Sequence, residues 1–167
     1  MNKNEILILV SYAFWADRRV LRACQKVSPE EFRRDVSPDP GWSSLRGTLV
    51  HALDTAYGWR LALQDREDTE VIDEKQFSDP AALKERWEEE EKSWLAYLTE
   101  LTDDELNAVW WSEGEIKRTR WQTILHVVND LTHHRSEAAA MLTGYGQSPG
   151  ELDFDQYIVE VLPGSSL

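Results

Sequence analysis

The sequence carries one cysteine in 167 residues, Cys24, which excludes an intramolecular disulfide and a multi-thiolate zinc site. Placed beside Leu21 in a helical pattern, it reads as a small buried hydrophobe. Positive charge is also scarce, with 18 Lys and Arg against 31 Asp and Glu and a formal net charge of -13. Most of the surface would therefore repel a phosphate backbone, and steps such as Arg18-Arg19 or Lys117-Arg118 are too short to reverse this, so nucleic acid is excluded as a partner. No apolar run approaches the ~20 residues needed to cross a bilayer, which excludes a membrane span. The apolar stretch Ile6 to Val10 after Lys3 is too short for a secretory signal and runs into Tyr12, Trp15 and Asp17, so a cytoplasmic protein is expected. A glycine-rich nucleotide fingerprint is missing, which argues against Rossmann and P-loop enzymes.

Hydrophobic residues make up 41% of the chain, enough for one core, and the length suits a single domain over 1–167. Eight tryptophans are expected in the core or in pocket walls, because indole area is costly to leave wet. Helical periodicity predicts a first helix over about 4–25, with Leu7, Val10, Phe14, Val20 and Leu21 facing a core. Ser28-Pro29-Glu30-Glu31 predicts a short capped turn to about Phe32, and Ser37 to Gly41 a loop. A second long helix is expected from Ser43 or Ser44 to about Gln64. A third runs from Ser78 to about Leu98, with Glu88 to Glu91 as a solvated charge run. Thr102 to Leu106 reads as a capped single turn, and 109–119 as a loop or small hairpin. A fourth long helix is expected from about Arg120 to Leu142 or Thr143, with Leu125 among its apolar positions, before a short helix from Asp153 to about Val161. Four long amphipathic segments without a convincing alternating strand predict an all-α four-helix bundle.

The chemistry concentrates in the histidines. His126, Asp130 and His134 are spaced by four and four on one helical face, while His133 points about 100° away from His134. With His51 arriving from a neighbouring helix, two imidazoles and a carboxylate could meet a further ligand in an N/O site suited to Zn, Ni, Fe or Mn. Equally, such histidines can simply hydrogen-bond across a core or cap a helix end.

Gly47-Thr48-Leu49-Val50-His51, with Trp59 eight residues on, and Trp121 through Arg135 resemble the two signature stretches of the DinB/YfiT-like superfamily. Phe14-Trp15-Ala16-Asp17 resembles its aromatic first helix, and Gly146 to Tyr157 its tail. The resemblance implies an up-down-down-up four-helix bundle, often a homodimer, with a divalent metal near one end. The family's usual three histidines map onto His51, position 130 and His134, and here the middle one is Asp130, a carboxylate that also binds Zn or Ni. His126 is expected as an alternate ligand or as a residue supporting the ligands. His133 is a weaker alternate, and Arg135 and Glu137 could support the ligands or line the pocket. Tyr12, Trp15 and Trp59 are the candidate pocket aromatics.

The function implied is that of a metal-dependent enzyme, a transferase in which an open metal position activates a small-molecule thiol such as bacillithiol or mycothiol, or a hydrolase using metal-bound water. The alternative is a non-catalytic homodimer with a structural or vestigial metal site.

Overall fold

A computed structural model describes residues 1–36, 43–67 and 70–162. The loop expected over 37–41 lies outside the described residues. Helix α1 (Lys3–Cys24) starts at an Asn2 cap reinforced by Glu5. The short α2 (Pro29–Arg33) follows a Ser28 capping box with Pro29 in the first turn. Helix α3 (Leu45–Leu63) is capped by Ser44, and a 3-10 turn (Glu74–Gln76) by Asp73. Helix α4 (Pro80–Glu100) begins where Asp79 accepts from the Ala81 and Ala82 amides. After α5 (Asp103–Asn107) come strands β1 (Val109–Glu113) and β2 (Ile116–Thr119), then α6 (Arg120–Gly144) and α7 (Phe154–Val161).

The expected plain four-helix bundle is therefore corrected: the described residues form seven α-helices, one 3-10 turn and an antiparallel hairpin. The short helices are elements in their own right because each has its own side-chain cap and drives one large side chain into the interior, Phe32, Leu106 and Tyr157 respectively. The hairpin turns at Gly114, whose φ of 58° suits a residue without a Cβ. Its register runs from Val109 opposite Thr119 to Glu113 opposite Ile116, with an irregularity between Val109 and Trp111. Trp110 then ties it to the end of α3 by donating its indole N–H to Asp65 at 3.2 Å.

Helices α1 and α3 each lie against both α4 and α6, so one apolar core runs between the four long helices. Trp94 sits in it and donates to the Ala56 carbonyl at 3.1 Å, joining α4 to α3. Two polar ties cross the same core. Arg60 of α3 grips Glu90 of α4 through Nε and Nη2, at 2.6 and 2.8 Å, with Glu90 fully buried. Glu90 thus departs from the solvated run expected over Glu88 to Glu91, because position 90 falls on the α3-facing stripe of its helix. Arg135 of α6 donates to Asp17 Oδ1 at 3.0 Å and to the Ala13 carbonyl at 3.2 Å, joining α6 to α1. Leu125, expected inside, is exposed, whereas its neighbours Ile124, Val127 and Val128 take the core face. Cys24 is fully buried, and burial pushes its thiol up to about 12, which makes it inert as a nucleophile.

Candidate functional site

The seam between α3 and α6 brings together residues separated by about half of the chain. His51 lies in the second turn of α3, where the Ser44 cap sets the helix start and the buried neighbours Leu49, Val50 and Leu53 set its rotation. Asp130 and His134 lie one turn apart on α6, rotated toward α3 by buried Val127, Val128 and Leu131. The two imidazole rings stand 4.7 Å apart between centroids and perpendicular. His134 Nε2 is 3.8 Å from Asp130 Oδ2, and its Nδ1 is 3.0 Å from Glu137 Oε2. The pair with Glu137 is a hydrogen bond, whereas the longer separation is not. Asp130 Oδ2 is shut off from solvent and has no hydrogen-bond partner, a costly arrangement for an acceptor.

Burial, followed by the neighbouring His134, holds the His51 imidazole below its ordinary pKa, with Asp130, Asp54 and Glu137 acting in the opposite sense. The folded state therefore favours neutral His51. Its contribution to stability is present above the unfolded pKa and is lost as pH falls through the folded one. Thermal melts from about pH 7.5 to about pH 5.5 should show wild type losing stability relative to His51→Gln, and a difference that stays constant over that window would refute this.

His51 also lines a cleft of about 240 Å³, whose wall includes Asp54, Asp73 and Glu74. Asp54 accepts from the Ile72 amide at 3.4 Å, and Glu74 pairs with Arg46 at 3.3 Å, so the segment after α3 is moored beside the histidine. These carboxylates were missed from the sequence. Asp54 follows His51 by three residues and offered a helical signal, but Asp73 and Glu74 belong to a segment that only the fold returns to α3.

The other candidates are not gathered at the seam in one group. His126 is exposed and meets Trp59 edge-on at 5.5 Å, and His133 is exposed. Arg135 is buried and committed to Asp17, Ala13 and Thr132. Tyr12 and Trp15 pack under α7 with Phe154 and Tyr157, and the Tyr12 hydroxyl donates to the Leu152 carbonyl at 3.1 Å. Glu137 is the supporting residue that does reach the histidines.

The expectation of a metal-binding metalloenzyme is corrected. Among the described residues no group of three or more His, Cys, Asp or Glu side chains is arranged to hold a metal ion. A divalent metal needs its donors aimed at one point, about 2.0–2.2 Å from each nitrogen or oxygen. Here Glu137 holds His134 Nδ1 and leaves Nε2 3.8 Å from Asp130, but the donors share a patch without a common focus. Among the described residues no helix is long and apolar enough to cross a membrane.

Residues 1–160 match the family model described as the DinB family. No curated protein matches the chain.

Proposed function

We propose, from the premise that the chain belongs to the DinB family, that it binds a small cationic or neutral molecule bearing a thiol or amine against His51, Asp130 and His134, and exchanges a proton with it. The observation that carries this is the buried, partnerless Asp130 oxygen beside two imidazoles. An acceptor in that state is stabilised by a hydrogen-bond donor arriving from outside. An ammonium N–H of the ligand supplies one and stays on Asp130, while a thiol on the same ligand passes its S–H proton to the neutral His51 imidazole, leaving a thiolate beside an imidazolium. That pairing lowers the thiol's ordinary pKa of about 8.5. The carboxylates of the adjacent cleft favour a ligand without anionic groups.

Histidine-selective ¹⁵N NMR tests the proposal with cysteamine as the probe, ethanolamine as the amine without a thiol, and mercaptoacetate as the anionic thiol. Cysteamine should move the His51 and His134 resonances saturably, and mercaptoacetate should move them least. Silence toward all three sinks it. Stoichiometric zinc uptake through His51, Asp130 and His134 would overturn the metal-free part.

The non-catalytic homodimer has one observation in its favour, the exposed apolar side chains Ile158, Val159 and Val161 on α7. It requires unresponsive histidines together with sedimentation at twice the chain mass. A cytoplasmic location belongs to the same proposal, supported by the near absence of cysteine.

A further inference from the structure

A second cavity, of about 230 Å³, lies between α1 and α4, away from the histidine seam. Its walls are Phe14, Leu21 and the Trp87 ring, with Phe14 and Trp87 edge to face at 6.3 Å. Two of its lining residues carry unmet polar atoms. Asp17, only 7% exposed, spends Oδ1 on Arg135 and leaves Oδ2 without a partner. Trp87, 3% exposed, leaves its indole Nε1–H without one. Both atoms are shut off from solvent, and buried polar atoms are satisfied in the great majority of cases, so an occupant whose polar head reaches both would gain two hydrogen bonds.

The lining also specifies that occupant's charge. Arg18, Arg22 and Lys84 balance Asp17, Glu88 and Glu91, and four of these form two pairs across or along the rim, Arg18 with Glu91 and Lys84 with Glu88. The lining is balanced in sign, and a neutral ligand leaves both pairs intact. An apolar cavity of roughly 150 Å³ takes benzene, so this one has room for a ring and a small substituent. Its aromatic walls suit a ring.

We propose that the α1–α4 cavity binds a neutral single-ring molecule whose one polar head, a hydroxyl or primary amide, donates to Asp17 Oδ2 and accepts from Trp87 Nε1–H. Burial holds the Asp17 carboxyl above its ordinary range, against the pull of Arg135, so a neutral donor is the better partner for it.

The test is an indole N–H NMR titration of the full chain with phenol and benzamide, using benzoate as the charged control. The Trp87 cross-peak, identified by its loss in Trp87→Phe, should move saturably with phenol and benzamide and stay still with benzoate. Trp87→Phe should bind phenol roughly tenfold more weakly, the size of one net hydrogen bond. A Trp87 resonance unmoved at millimolar phenol, benzoate binding as tightly as benzamide, or undiminished affinity in Trp87→Phe would each overturn the assignment. Should the variant fail to fold, wild-type assignment by through-space contacts to Phe14 leaves the titration decisive.

Discussion

Replacing Arg60 with methionine should lower folding stability by about 3–5 kcal/mol, because it strands a carboxylate that the fold has removed from water. Glu90 is fully buried and takes both short hydrogen bonds of the Arg60 fork. Its other cation, Arg86, stands 3.6 Å away on the same helix, too far to replace a bidentate partner. In a chain of this length that loss corresponds to a fall in Tm of about 10 °C or more. The double variant Arg60→Met with Glu90→Met separates the cost of the stranded charge from the worth of the pair. Removing both charges leaves well-packed methionines, and the double variant should return to within about 1 kcal/mol of wild type or above it. Urea unfolding of the two singles and the double forms the cycle. A double variant that loses as much as the singles summed would show no coupling between the two residues and overturn the stranded-charge account.

Arg135→Met should cost about as much, 3–5 kcal/mol, with a pH signature set by Asp17. Arg135 is the cation that offsets the burial of Asp17, whose carboxyl is already held above its ordinary pKa of 3.8. Without Arg135 the carboxyl rises further. A carboxylate with a raised folded pKa makes the folded state bind protons more tightly than the unfolded one, so stability is regained as pH falls through the folded value. The deficit of Arg135→Met relative to wild type should therefore shrink between about pH 7.5 and about pH 5. Asp17→Asn in the same background should remove the pH dependence and restore much of the stability. A deficit that is flat with pH would mean that the lost contacts to Ala13 and Thr132, at 3.2 and 2.8 Å, dominate over charge.

These two ties also mark where sequence patterning loses its power. Glu90 sits in a run of four glutamates, and composition gives each of them the same solvated assignment. Which of the four turns inward depends on where Arg60 lies across the α3–α4 contact, a distance of 30 residues. Arg135 likewise follows the paired histidines and reads as a companion to them, yet it points to α1. Leu125 and Ile124 are equally apolar, and the rotation of α6 within the core decides that Ile124 is buried.

The sequence by itself determined the helices, the family and the polar singularity at its centre. Caps such as Asn2, Ser28, Ser44, Asp79, Thr102 and Asp153 act within three residues, and apolar spacing acts within a few turns, so both are local signals that survive without a structure. The four-residue spacing of Asp130 and His134 likewise placed them on one face. Only the tertiary structure decided between a loop and a hairpin over 109–119. It also brought the acidic segment around Asp73 and Glu74 beside His51, and placed Tyr12 and Trp15 under α7. The His51, Asp130 and His134 donors share a patch without a common metal focus for the same reason. Side-chain convergence to a few tenths of an ångström depends on how helices distant in sequence rotate and slide as they pack, and no local pattern encodes that.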